Sequence, residues 1–384
     1  MGASPYRGGE GGTPRNYDSG DETMRPNATS REQLLPFSSD LELRRRFMVV
    51  NEPVPANMRF GLLLEVLDKL AEESALAYAR RSLAQARVVT AAIDDIVLRT
   101  PADVTRDLRL RARLNWVGKS SMEVGIRIEH PAPHPVHVAS CYFTMVARQG
   151  EGDAARSVPV APLEYLDDVE RRRGRTAAER REKRRRHAAV AAEPPSREEY
   201  DLLARLHAAQ EAPDFSGHLA GALTSAAWER VYPEQENVPS KVFGGHLVRR
   251  AYELAGIQAE AIAPDRPVIV RVNRINFVQP VRIGDRLQFV SRIVYAGRTS
   301  LCVEVTIERT SRDRVTKALS NTCVFTFVNV DERMQPRPVA PVYPTTYAED
   351  ARYLEAFRRH QRRRVQTARG LSIVASLQQS GAGD

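Results

Sequence analysis

The chain has 384 residues, 42% hydrophobic and 27% charged, a balance that supports two or three folded units and excludes a disordered or fibrous protein. Its 57 Lys and Arg against 48 Asp and Glu give a net charge of +9. The excess is confined to residues 171–186 (RRRGRTAAERREKRRR) and 358–364 (RRHQRRR), so the remainder sits near about −4 and carries no general basic field of the kind nucleic acid requires.

In chain order, residues 1–40 read as a disordered tail. They mix Arg7, Arg15 and Arg25 with Glu10, Asp18, Asp21 and Glu22, which makes a poor amphipathic transit peptide. A short strand is expected at 43–50, then a helix over 61–80, where apolar residues recur at helical spacing. Period-two alternation predicts strands at 88–99, 108–117, 121–130 and 136–147. Residues 150–224 read as a flexible charged loop followed by a connecting helix, opened by the capping-box pair Ser196 and Glu199. A strand at 225–232, a helix at 245–263 and strands at 268–277, 287–295, 300–309 and 315–328 follow. Residues 350–364 read as a surface helix and 370–384 as a loose tail. No stretch reaches the ~20 apolar residues of a membrane span.

The second half repeats the first. DLRLRARLNWVGKSSMEVGIRIEH (107–130) aligns with RLQFVSRIVYAGRTSLCVEVTIER (286–309), placing Leu108 on Leu287, Gly118 on Gly297, Ser121 on Ser300 and Ile128 on Ile307. Upstream, 60–81 corresponds to 244–263; downstream, 139–147 corresponds to 321–329. Each copy reads as one helix and four strands, an α+β unit in which a curved antiparallel sheet wraps one long helix. Units are expected at 41–150 and 225–345, joined by 151–224, with 346–384 as a C-terminal helix and tail.

Several chemistries are absent from the sequence. It has no GxSxG and no GxGxxG, and the GKS at 118–120 lacks the earlier glycine of a phosphate loop and reads as a hairpin. There is no HExxH; His130, His134 and His137 fall among prolines and read as a surface loop rather than a metal site. Cys141, Cys302 and Cys323 lie in apolar runs without a disulfide pattern, as in a reducing compartment. Two features stand out. Gly244 and Gly245 open the second helix, where unpaired amides and the helix dipole suit an oxyanion; the other reading is a tight turn. Asp68 shares the apolar face of the first helix with Leu64, Ala71 and Ala75, which is costly for a carboxylate unless it is paired or used; the other reading is a partly exposed acid. Glu65 with Lys69 and Arg249 with Glu253 read as surface pairs at i,i+4.

The segments RFGLLLEVLDKL, WVGKSSMEV, YFTMVAR, KVFGGHLVRRAYELAG and FVQPVRIGD together resemble the double-hot-dog acyl-CoA thioesterases, most closely their mitochondrial branch. The resemblance covers about residues 45–345 and implies tandem hot-dog domains that hydrolyse fatty acyl-CoA to the free acid and coenzyme A. It implies a catalytic asparagine seven residues before Gly244, which is Asn237, and a catalytic aspartate eight residues after Phe60, which is Asp68, acting as general base or as nucleophile. Gly244 and Gly245 would hold the oxyanion, and Lys119, Lys241, Arg249 and Arg298 would meet the coenzyme's phosphates. No metal or organic cofactor is implied. In the equivalent second cleft Tyr252 and Pro53 occupy the aspartate and asparagine positions, so one complete site per chain is expected. The resemblance also implies a homo-oligomer and a mitochondrial location, or a cytoplasmic one if the N-terminus is no transit peptide. The rival reading is a catalytically inactive scaffold that joins an RNA assembly through its basic segments.

Overall fold

The computed structural model describes residues 25–52, 54–131, 134–150, 154–190, 194–238, 241–273 and 275–362, and of residues 183–190, 237, 238 and 241 only the backbone. Pro53 and most of the two expected tails lie outside the described residues. The first unit comprises β1 (Arg31–Leu35), α1 (Leu41–Phe47), α2 (Phe60–Ser82), β2 (Arg87–Ile93), β3 (Ile96–Leu98), β4 (Leu108–Val117), β5 (Ser121–His130) and β6 (Val136–Gln149). After β7 (Arg156–Ser157), α3 (Asp168–Val190), α4 (Arg197–Gln210) and β8 (His218–Leu219) comes the second. It comprises β9 (Thr224–Arg230), β10 (Glu236–Val238), β11 (Lys241–Val242), α5 (Gly244–Ala259), β12 (Arg266–Val272), β13 (Ile275–Phe277), β14 (Arg286–Ala296), β15 (Ser300–Thr310) and β16 (Lys317–Val330). The short β17 (Val342–Tyr343) and a final helix α6, residues 347–362, complete the described chain.

The duplication persists in the irregularities. Register shifts in β2 (Thr90/Ala92), β4 (Leu114/Trp116) and β5 (Ile128/Glu129) recur 179 residues later in β12 (Ile269/Arg271), β14 (Ile293/Tyr295) and β15 (Ile307/Glu308). A bulge re-aims the side chains beyond it, so a shared bulge preserves a shared inward face. Both hairpin turns close the same way, with Gly118 N–H donating to Ser121 O and Gly297 N–H to Ser300 O, each at 2.7 Å.

The two units merge into one antiparallel sheet, because β2 pairs with β13 and β3 with β12. Leu108, Leu110, Ala112 and Leu114 of β4 face inward onto α2, which is buried along most of its length. Helix α5 crosses α2, and at the crossing Arg249 Nη1 lies 2.8 Å from Glu65 Oε2. These two positions are equivalent by the repeat. In a pair of identical chains such a position faces its own copy and like charge meets like; fusion let one become acidic and the other basic. The surface pair expected between Glu65 and Lys69 is therefore replaced: Glu65 turns to Arg249, and Lys69 binds Glu72 at 3.1 Å.

Three expectations need correction. The strand ahead of the first helix is β1, paired with β4 within the expected tail, while α1 (Leu41–Phe47) overlaps the strand expected at 43–50. Asp40 accepts a hydrogen bond from Leu43 N and caps α1, overriding an alternation too short to specify a strand. The runs 88–99 and 268–277 each break in two, at Asp94-Asp95 and beside Asn273, whose buried amide donates to Val324 O. The basic run is no loop: it lies in the 23-residue α3, packed on the outer face of the first sheet with Ala177 fully buried. Arg180 pairs with Glu123 and lies 3.6 Å over the Tyr142 ring, and Arg181 covers Trp116. This helix docks through arginine stems on aromatic faces, so it has no apolar stripe to announce it. The connecting helix and the C-terminal helix form as expected, Ser196 completing its capping box. α4 and α6 bury Leu203, Tyr353 and Leu354 against Tyr295 on the second sheet.

Candidate active site

Asp68 stands on the third turn of α2 and is fully buried among Leu64, Ala71 and Ala75, as its helical phase requires. Its Oδ1 accepts a 2.6 Å hydrogen bond from Thr90 Oγ1 on β2, and its Oδ2 is buried with no hydrogen-bond partner among the described residues. Burial pushes the carboxyl up to about 7, further raised by nearby Glu72; Thr90, the Gly245 amide and Lys69 pull the other way. The Gly245 amide acts here as a nearby dipole, outside strict hydrogen-bond geometry.

The start of α5, from the other unit, comes directly onto this acid. A Cβ placed on Gly244 would lie 3.2 Å from Asp68 Oδ2 and 3.1 Å from the Phe277 ring. One on Gly245 would lie 3.0 Å from Glu65 Cα and 3.2 Å from Asp68 Cβ. A side chain at either position would crowd the helix crossing, and the tight-turn reading does not hold: both glycines lie in α5 and neither has a positive φ. Among the described residues no side chain caps α5, whose N-cap is Phe243, and none of them supplies a capping oxygen to its first amides.

Asn237 lies on β10, in the hairpin with β11 that leads into α5; its side chain lies outside the described residues. This approach is tied down by Glu229. Gln235 Nε2 donates to Glu229 Oε1 at 3.0 Å, His246 Nε2 lies 2.8 Å from the same oxygen and Arg250 Nε donates to Oε2 at 2.9 Å, while Phe243 N–H donates to Gln235 O. Burial acts to raise the Glu229 pKa, but the His246 and Arg250 contacts prevail and hold it at about 2. Lys119 and Arg298 are exposed at the tips of the two equivalent hairpins, the Lys241 side chain lies outside the described residues, and Arg249 is held between Glu65 and Glu253.

Thr90 went unnoticed in the sequence, yet a signal was there. The repeat sets Thr90 opposite Ile269, a polar residue in an inward phase whose twin is apolar. The cross-strand pairs are equivalent too, Thr90 with Met145 and Ile269 with Phe327. The second cleft is accordingly an aromatic cluster: Tyr252, in place of the acid, has ring centroids 6.0 Å from Phe60, 5.6 Å from Phe325 and 6.0 Å from Phe327. Pro53 lies outside the described residues. Among the described residues, no group of three or more His, Cys, Asp or Glu side chains is gathered as a metal would require.

A thioesterase superfamily model matches residues 61–135 and 240–316, one match in each unit. Human mitochondrial acyl-coenzyme A thioesterase 9 is 29% identical over 345 residues, covering 85% of this chain and 76% of the human protein. An uncharacterized acyl-CoA thioester hydrolase of Zymomonas mobilis is 34% identical over 137 residues, 36% of this chain and 92% of that protein. Among solved structures, an acyl-CoA hydrolase of Staphylococcus aureus is 28% identical over 41% of this chain and 97% of its own, with a TM-score of 0.37.

Proposed function

The chain belongs to the thioesterase superfamily, as two fused hot-dog units that hydrolyse acyl-CoA thioesters, and from that premise we propose that the reaction runs in one cleft per chain, between Asp68 of one unit and the start of α5 of the other. The observation that carries this reading is a buried carboxyl poised at about 7 against a helix start from the other copy that no described side chain caps. In its ionised form Asp68 takes a proton from water as that water attacks the thioester carbonyl. The Gly244 and Gly245 amides hold the oxyanion that forms, and collapse of the intermediate expels coenzyme A, whose thiolate takes up the proton from Asp68. Direct attack by the carboxylate, giving a mixed anhydride that water then opens, uses the same groups.

Asn237 orients the water or the carbonyl from the hairpin that Glu229 steadies. The acyl chain of a fatty acyl-CoA runs between helix and sheet, and Lys119, Lys241 and Arg298 contact the coenzyme phosphates. Arg249 is already engaged by Glu65 and Glu253. Likeness to mitochondrial relatives supports a mitochondrial location, and the open sheet edges β1 and β9, with Trp228 60% exposed on the latter, support a homo-oligomer. The RNA-scaffold reading is not favoured: the first basic segment is folded onto the sheet.

The experiment is hydrolysis of an acyl-CoA chain-length series as a function of pH. For the preferred substrate, kcat/KM rises with pH through a single limb near 7, because the active form is the ionised one. Thr90→Val removes a donor to that ionised form, so the limb moves up by about one unit. Absence of hydrolysis across the series, or a limb that stays in place in Thr90→Val, contradicts the proposal.

A further inference from the structure

We propose that the groove between α3 and the outer face of the first sheet is a second binding site, for a small oligophosphate anion. The groove holds about 560 Å³ and is lined by β1, β4, β5 and β6 on one side and α3 on the other, a volume in the range of small-molecule sites. Among the described residues seven arginines and a single acid, Glu32, line it. It lies across the sheet from the catalytic cleft, since Arg111 and Arg113 alternate with the inward-facing Leu110, Ala112 and Leu114.

The protein's own acids do not balance this charge. Arg111 and Arg127 share the buried Glu129 with Arg109, three guanidiniums on one carboxylate. Arg180 is matched by Glu123, and among the described residues Arg113 donates only to the neutral Asn27 Oδ1. Arg172 and Arg173 line the groove from α3 while remaining exposed, and no carboxylate among the described residues pairs with either. Like charges held together on both walls repel unless an anion lies between them. Guanidinium forks suit phosphate oxygens, which they bind two at a time.

The cluster is only in part a relic of the repeat. Arg113 recurs as Arg292, but Arg111 and Arg127 correspond to Val290 and Thr306 in the second unit, so these two arginines are particular to the face that α3 covers. The lining favours a phosphate chain over a stacked base or single-stranded RNA, because Arg180 lies over the face of Tyr142 and Arg181 over that of nearby Trp116, leaving neither as an open platform.

The test is calorimetric titration of the full chain with tripolyphosphate, ATP and adenosine at about 150 mM salt. Tripolyphosphate and ATP bind with dissociation constants within about threefold of each other and below about 100 μM, and adenosine does not bind. Arg172→Ala and Arg173→Ala each weaken binding at least about fivefold, whereas Arg175→Ala, on the same helix but outside the groove, leaves it unchanged. Because both groove arginines are exposed, melting curves matching wild type check that the variants fold. Tripolyphosphate binding weaker than about 1 mM, or equal losses in Arg175→Ala and the groove variants, overturns the proposal. So does a single-stranded RNA that binds at least about tenfold tighter than tripolyphosphate, which would make the groove part of a nucleic-acid surface.

Discussion

Asp68→Asn lowers kcat by about 10³ and at the same time raises the melting temperature at pH 8 by several degrees. The first effect is the loss of a general base or nucleophile, which neither an amide nor bulk water replaces. The second follows from linkage. The folded carboxyl titrates at about 7 against an ordinary value of 3.8, so between these values the folded state holds a proton that the unfolded state has released. Stability therefore falls as pH rises through that window, and above it the ionised, buried group costs on the order of 4 kcal/mol. Asparagine removes this cost and still accepts the hydrogen bond that Thr90 donates to Oδ1. Thermal melts and steady-state kinetics at about pH 5 and pH 8 check both halves, since the stability gain shrinks towards acid pH. A variant that keeps more than about a tenth of wild-type kcat, or melts lower at pH 8, contradicts the assignment.

Gly245→Ala is the second large effect, and it acts through geometry. The new Cβ would lie 2.7 Å from the Phe243 ring and 3.0 Å from Glu65 Cα. The ring can give a little, but the α2 backbone can give only if the helices part. Parting them carries the α5 amides away from Asp68. The expected result is a fall in kcat/KM of about a hundredfold, with a stability loss of about 1–3 kcal/mol. Gly256→Ala, on the same helix, is the control: its Cβ would meet nothing within 4 Å, and alanine's helix propensity should leave activity unchanged and stability equal or slightly higher. Similar damage from both substitutions would show that helix propensity, rather than the crossing, governs the site.

How far the sequence could be read follows from where its periodicities hold. Both long helices and the paired hairpins lie in stretches where one face meets the core, so apolar spacing marked them, and the repeat marked them a second time. Asp68 was legible for the same reason, as a carboxylate out of place on an apolar face. Thr90 was not, because threonine is ordinary in a strand; only its pairing with Ile269 across the repeat singles it out. Helix α3 escaped because burial there is achieved by Arg180 and Arg181 over aromatic rings rather than by aliphatic residues. β1 escaped because an edge strand with one inward residue, Leu35, carries almost no alternation. The Glu65–Arg249 pair depends on a helix crossing that no local pattern encodes.

The decisive measurement is a double-mutant cycle on kcat/KM with Asp68→Asn, Asn237→Ala and the two combined. If acid and amide serve one substrate in one cleft, each single change costs about 10²–10³, and the double variant is no more than about threefold worse than the weaker single. If each single variant instead keeps about half the activity, or the two losses multiply, acid and amide do not act together on one bound thioester.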